Sequence, residues 1–292
     1  MISGLKNPVS NYLSLIKFSH TVFALPFAII GFMLGLNSKQ MNFNWMLFLL
    51  VLLCMVFARS AAMAFNRYID KDIDKSNPRT LVREIPSGVI SSSSALIFVI
   101  CNVLLFIVTT FFINKICFFL SPLALLIILG YSFTKRFTYL CHFILGLGLS
   151  LAPIGAYLAV TGRFNLIPLL YSFAVLFWVG GFDVIYALQD EDFDKSQQLK
   201  SIPVFLGKKG ALIVSNIFHL LSAILIVCAG VYSGFGIFYW VGTVVFITLL
   251  IYQHRLVQPD DLSKINMAFF TTNGIGSVLF SIFFFLELYW PL

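Results

Sequence analysis

Charge is what this sequence has least of. Asp, Glu, Lys and Arg make up 11% of its 292 residues, against about 25% in an ordinary globular domain, which excludes a soluble fold with a fully solvated surface. Paired cysteines are missing as well. Cys54, Cys101, Cys117, Cys141 and Cys228 lie singly in or beside apolar runs with no CxxC, so neither a disulfide framework nor a zinc site is expected. His20, His142, His219 and His254 are equally scattered and are read as packing or interfacial residues. The short alternating strands of a membrane barrel are absent. Met1 to Ser19 is mixed in polarity and lacks the short apolar core and small-residue cleavage site of a secretory signal. With no low-complexity linker and no change of composition, residues 1–292 are expected to form a single transmembrane domain.

Long apolar runs are abundant. The chain is 60% hydrophobic, contains 33 Phe and has a mean hydropathy of +0.96. A helix crosses the hydrocarbon core in about 20 apolar residues. The pattern predicts an all-α integral membrane protein, a bundle of about nine transmembrane helices around a central cavity. The spans fall near 20–36, 45–66, 95–113, 116–133, 141–160, 166–187, 210–232, 235–252 and 267–289, with tight turns at Asn114–Lys115 and Ser233–Gly236. Positive charge then sets the orientation. Lys6, Lys17, Arg67, Lys71, Lys75, Arg79, Arg83, Lys135, Arg136, Lys195, Lys200, Lys208, Lys209, Arg255 and Lys264 gather on one side, and Lys39, Lys115 and Arg163 on the other. The bias predicts a cytoplasmic N-terminus, in what is expected to be a bacterial inner membrane. It also accounts for the net charge of +7 without nucleic acid as a partner; the partner is the lipid bilayer.

The acids are concentrated. Eight of the twelve fall in two segments, Asn66-Arg-Tyr-Ile-Asp70-Lys-Asp72-Ile-Asp74 and Asp183-Val-Ile-Tyr186-Ala-Leu-Gln-Asp190-Glu191-Asp192-Phe-Asp194. These follow the second and sixth spans and so share a side. This suggests two four-helix halves plus a ninth helix. Ionisable groups at membrane depth are costly and mark function by default. At about 100° per residue, Asn66, Asp70 and Asp74 share one helical stripe, and so do Asp183, Asp190 and Asp194, with Tyr186 near the edge. Asp72 and Asp192 point away and are expected to be solvated or paired with nearby Lys. Two facing carboxylate stripes require a cation. Oxygen ligands suit Mg2+, which keeps waters and takes one or two carboxylates plus substrate phosphates, and the Lys and Arg around them suit a diphosphate. An EF-hand would need Gly and Glu where Lys75 and Leu81, or Lys195 and Ser201, stand. Helix-end solvation explains one cluster more easily than two clusters with the same stepping.

At these residues the sequence resembles the UbiA superfamily of intramembrane prenyltransferases. Asn66, Asp70 and Asp74 match its first acidic motif, with Arg59 seven residues earlier. Asn77-Pro-Arg79-Thr80-Leu-Val-Arg83-Glu-Ile-Pro86-Ser-Gly88 is similar to its loop after helix two, and Tyr131-xxx-Lys135-Arg136 to its basic motif after helix four. Asp183, Tyr186, Asp190 and Asp194 match the second acidic motif. The resemblance covers the whole chain. It implies Mg2+-dependent transfer of a polyprenyl group from polyprenyl diphosphate to an aromatic acid acceptor in quinone biosynthesis. Asp70, Asp74, Asp190 and Asp194 would hold the metal, and Asn66 and Asp183 would complete or orient those shells or bond structurally. Arg59 would face the cavity and contact an acidic partner or substrate. Lys135 would contact the diphosphate or the acceptor carboxylate, with Arg136 beside it or snorkelling to the interface. Arg79 and Arg83 would close the loop over the diphosphate, and Tyr186 would bond the departing group or the acceptor. Where many hydroxybenzoate-specific members read Arg-Pro-Leu-Pro-Ser-Gly, this chain reads Arg83-Glu84-Ile85-Pro86-Ser87-Gly88. That loop, with Ile16-Lys-Phe-Ser-His20-Thr-Val-Phe-Ala-Leu-Pro26, resembles the menaquinone branch, so both 4-hydroxybenzoate and a dihydroxynaphthoate stay open as acceptors. The rivals are a family relative with a non-quinone acceptor and a cation-coupled transporter. The second would place its acids at the membrane midplane on broken helices.

Overall fold

A computed structural model of the chain describes residues 8–16 and 24–290. The described elements are helical: α1 Pro8–Leu15, α2 Leu25–Lys39, α3 Trp45–Ile69, α4 Lys71–Ser76, α5 Ser92–Ile113, α6 Lys115–Thr134, α7 Cys141–Thr161, α8 Leu166–Ala187, α9 Glu191–Ser196, α10 Ile202–Ser233, α11 Ile237–Leu256 and α12 Asn273–Tyr289. Eight helical segments among the described residues are long and apolar enough to cross a membrane. The remaining expected span is α2, with 15 described residues; the start of that span, with Lys6, Lys17 and His20, lies outside the described residues.

The tight turns sit where the sequence places them, because side chains there satisfy the free backbone donors of the next helix. Asn114 alone separates α5 from α6. Its Oδ1 accepts from the Cys117 N–H at 2.9 Å, and its Nδ2 donates to the Leu158 and Ala159 carbonyls at the end of α7. Gly234 closes α10 in the left-handed region at φ +64°. Glu287 then caps α11 from the last turns of α12, accepting from the Gly236 N–H at 2.6 Å and the Tyr239 N–H at 3.3 Å. A carboxylate buried at a helix N-terminus is favoured by the orphan N–H groups and the positive end of the helix dipole.

The two long polar segments between the expected spans carry short helices of their own. The 67–94 segment holds α4. The 188–209 segment holds α9 and the first turn of α10, which breaks at Gly207 with φ 67° and ψ 174°. The ninth expected span opens with a π-helical turn over Met267–Thr272. There the Ala268 carbonyl accepts from Gln253 Nε2 at 2.9 Å as well as from the Thr272 hydroxyl, so competing side-chain donors loosen the regular ladder.

The interior is uneven. α8, α10, α11, α12 and α2 enclose a dense aromatic core in which Phe27, Tyr171, Trp178, Phe246, Phe280 and Phe284 are fully buried. On the other side α3, α5, α6 and α7 surround a cavity of about 420 Å³. The close approach of α2 to α7 joins the two regions: a Cβ at Gly31 would lie 2.0 Å from the Pro153 carbonyl oxygen. Small residues let backbones meet where lipid provides no hydrophobic drive. Gly31→Leu is therefore expected to destabilise the fold by about 1–3 kcal/mol or more through overpacking. Gly130→Ala, with nothing within 4 Å of the added carbon, should leave the melting temperature in detergent unchanged or raised.

Candidate active site

Both acidic segments break their helix at the same place. α3 ends at Asp70, whose backbone lies at φ −91° and ψ 6°, and α4 starts one residue later. α8 runs through a 3₁₀ turn over Leu188–Asp190, and Asp190 lies at φ −103° and ψ 2° before α9. These bridge-region angles correct the expectation of two unbroken stripes. Asn66 stays in step with Asp70, to which its Nδ2 donates at 3.2 Å. The second stripe divides: Asp190 turns to the loop after α4, whereas Asp183 faces α7 and meets the His142 Nδ1 at 2.7 Å. Asp72 and Asp192 are exposed as the helical phase predicts.

The loops bring cations from the far side of the site onto each cluster. Lys135 and Arg136, following α6, lie 2.9 and 2.8 Å from the two oxygens of Asp70. Arg136 also donates to the Ser132 and Ile69 carbonyls, which hold it beside Asp70. Arg83 reaches Asp74 at 2.7 Å. Arg79 forms a fork with Asp190 through Nε at 2.9 Å and Nη2 at 2.6 Å. Partial burial opposes the Arg79 charge, but the Asp190 carboxylate outweighs it and raises the guanidinium pKa above its ordinary value. Nη1 of the same arginine is 3.5 Å from the Tyr186 hydroxyl, and the Tyr186 ring packs on Phe269 of the π-helical turn with centroids 4.2 Å apart. Asp194, half-buried on α9, faces the charges of Lys135 and Asp190.

Arg59 and Tyr131 line the cavity. Its walls are otherwise almost wholly apolar, drawn from residues such as Val51, Phe106, Leu120, Ile128, Leu149 and Gly155. Two participants were not anticipated. Arg67, counted only as a loop charge, is 5% exposed with Nη1 3.9 Å from Asp74; its place beside Asn66 in the motif was the available signal. His142, read as packing, pairs with Asp183 across 41 positions of sequence, a separation that no local spacing reveals.

Among the described residues no three His, Cys, Asp or Glu side chains form a ready-made metal cage. Mg2+ does not need one, since it takes one or two carboxylates and completes its octahedron with phosphate oxygens and waters. The donor set fits. Asp70, Asp74, Asp190 and Asp194 are hard oxygen donors, and Asp74 Oδ2 is buried with no hydrogen-bond partner. The Arg79 fork ties the 77–91 loop to the second cluster. Arg79→Ala is therefore expected to speed backbone amide exchange across this loop, while Lys75→Ala, on the exposed side of α4, should leave it unchanged.

The chain matches the UbiA prenyltransferase family over residues 24–275. It is 32% identical over 245 residues to the 4-hydroxybenzoate octaprenyltransferase of Aliivibrio fischeri, a match covering 81% of this chain and 82% of that protein. The apo structure of a UbiA homologue from Aeropyrum pernix superposes with a TM-score of 0.82 at 31% identity, covering 92% of this chain and 98% of that one. A UbiA homologue from Archaeoglobus fulgidus bound to GPP and Mg2+ shares the fold, with a TM-score of 0.76 at 24% identity and coverage of 95% and 99%. With its break-point aspartates, its basic loops and a family match over most of its length, this chain belongs to the UbiA prenyltransferase family.

Proposed function

We propose that this protein transfers a polyprenyl group from a polyprenyl diphosphate to an aromatic acid, 4-hydroxybenzoate or a dihydroxynaphthoate, in quinone biosynthesis, with Mg2+ as cofactor. The observation that carries this reading is the pairing of two environments. Asp70, Asp74 and Asp190 are held by Lys and Arg side chains. An apolar-walled cavity of about 420 Å³ has Arg59 and Tyr131 in its lining, Tyr131 lying four residues before Lys135 at the end of the same helix. A polyprenyl diphosphate is divided in the same way, into a polyanionic head and a hydrocarbon tail. The name of the Aliivibrio fischeri relative supports an aromatic acceptor. The reading takes residues 1–292 as one domain in a bacterial inner membrane. The Lys and Arg bias supports a cytoplasmic N-terminus and active site.

Each group has a task. Asp70, Asp74, Asp190 and Asp194 would hold Mg2+, with Asn66 fixing the Asp70 carboxylate. Bound there, Mg2+ would neutralise diphosphate charge and ease its departure. Lys135, Arg136, Arg79 and Arg83 already point at the carboxylates and would take diphosphate oxygens, and preorganised charge of this kind is the largest single contribution in many enzymes. Tyr186, aligned by Phe269 and Arg79, would bond the departing diphosphate or the acceptor. Arg59 and Tyr131 mark the cavity end where the reacting carbon would lie. The apolar walls keep water from the allylic cation, so the aromatic ring captures it.

Membranes containing the protein should prenylate 4-hydroxybenzoate or 1,4-dihydroxy-6-naphthoate from a radiolabelled polyprenyl diphosphate, and EDTA should abolish the product. Asp70→Ala, Asp74→Ala, Asp190→Ala and Asp194→Ala should each lower turnover by about 100-fold or more, with the protein still inserted. Asp72→Ala and Asp192→Ala should stay within a few-fold of wild type. Product that persists in EDTA would remove the metal from the reading.

A further inference from the structure

Three of the carboxylates read as metal ligands are already engaged. Asp70 Oδ1 accepts from Arg136 Nη2 at 2.8 Å, and its Oδ2 lies 2.9 Å from Lys135 Nζ and 3.2 Å from Asn66 Nδ2. Both oxygens of Asp190 accept from Arg79, at 2.9 and 2.6 Å. Asp74 Oδ1 accepts from Arg83 Nη1 at 2.7 Å. Of these six oxygens only Asp74 Oδ2 is without a hydrogen-bond partner. Arg67 Nη1 stands 3.9 Å from it, beyond hydrogen-bond reach. Mg2+ binds carboxylate oxygens at about 2 Å, so at each of the other five it would meet a cationic nitrogen already in place. The balance of charge points the same way. Arg67, Arg79, Arg83, Lys135 and Arg136 face Asp70, Asp74, Asp190 and Asp194, which leaves one positive charge in excess. Mg2+ alone enlarges that excess, whereas a diphosphate head reverses it. The cations also differ in freedom. Arg136 is anchored to the Ser132 and Ile69 carbonyls, and Arg67 is buried. The Arg79, Arg83 and Lys135 side chains are between 23% and 36% exposed.

We infer that Arg79, Arg83 and Lys135 are place-holders on the metal-binding oxygens, and that Mg2+ binds this site tightly only together with the diphosphate that draws them off. The inference rests on the transfer reaction proposed above and adds how its site is loaded. Diphosphate oxygens compete for the same donors, since a guanidinium fork matches phosphate as well as carboxylate. Once a side chain turns to the diphosphate, the aspartate oxygen it covered is open to the metal. Metal charge on that oxygen then opposes the return of the side chain. Each ligand therefore tightens the other by the same factor, because coupling between two binding events is reciprocal. Arg67 stays beside Asp74 throughout, and its distance leaves Oδ2 open. The substrate-free site thus keeps its carboxylates neutralised and closed to the metal until a donor arrives.

The test is calorimetric titration of Mg2+ into the full-length protein in nanodiscs of uncharged lipid. It is run with and without an unreactive thio-analogue of a prenyl diphosphate, and protein-free blanks are subtracted. Wild type should bind Mg2+ about 10-fold or more tightly with the analogue present than without it. Arg79→Gln and Arg83→Gln should each bind Mg2+ without the analogue about 10-fold more tightly than wild type, and the analogue should then add less. Lys75→Gln, next to Asp74 in sequence but exposed, should behave as wild type. Adding Asp74→Asn to Arg83→Gln should remove the gain. Wild type binding Mg2+ alone as tightly as the two arginine variants would overturn the inference. So would an equal gain in Lys75→Gln, which would mark a general field effect, or a gain that survives Asp74→Asn. If Arg83→Gln fails to fold, Arg79→Gln decides alone. No Mg2+ binding in any variant, with or without the analogue, would remove the metal from the proposed function and this inference with it. Coupled binding in a wild type that prenylates no acceptor would remove the transfer reaction and leave the exchange of partners standing.

Discussion

Balancing negative charge in a nearly chargeless protein is the constraint on which this structure depends. A carboxylate taken out of water is costly unless paired and hydrogen-bonded, yet Asp70 and Asp74 are 2% and 4% exposed. For Asp70 the neutralising partners come from far along the sequence, Lys135 and Arg136 in the turn after α6, and for Asp74 from nearby, Arg83 in the loop after α4. Arg79 crosses in the other direction to Asp190. These pairings draw the loops over the acidic end of the bundle, so the arrangement suited to a polyanionic substrate also orders the chain around it.

The apolar interior solves a separate problem. Helices in lipid have little reason to associate through burial alone, and this chain uses close backbone contacts together with interlocked aromatic rings. Trp178 anchors the dense region. Its ring lies 5.3 Å from that of Phe27 and 5.7 Å from that of Phe246, and its Nε1 donates to Asn273 at 3.0 Å. The same α8 carries Asp183 and Tyr186 at its acidic end, so the packing of the core sets the height and rotation of those site residues.

The span positions were legible in the sequence because length and hydropathy are local properties; the observed limits of α6, α7 and α8 lie within a residue or so of those expected. The acidic and basic motifs were legible for the same reason, and the exposure of Asp72 and Asp192 followed from helical phase. The fate of Asp183 did not. The stripe argument assumed a continuous helix, and the 3₁₀ turn at Leu188–Asp190 uncouples Asp183 from Asp190. Arg67 and His142 escaped because burial and pairing of single side chains depend on helices that meet only in three dimensions. The role of Glu287, silent in the sequence, emerged only when α12 was seen to end beside the start of α11.

The hollow lies wholly on one side of the molecule. Residues of α3, α5, α6 and α7 wall it, with Ala24 and Phe164 at its margins, and α8 to α12 contribute none of its lining. The aromatic core occupies the opposite side. Capacity falls to α3, α5 and α6, and α7 serves both sides: Leu145 and Leu149 line the hollow and also pack against the aromatic core. A lineage can reshape the space offered to a longer or shorter hydrocarbon through substitutions in the three outer helices, while α7 and the interlocked helices behind it keep the molecule whole.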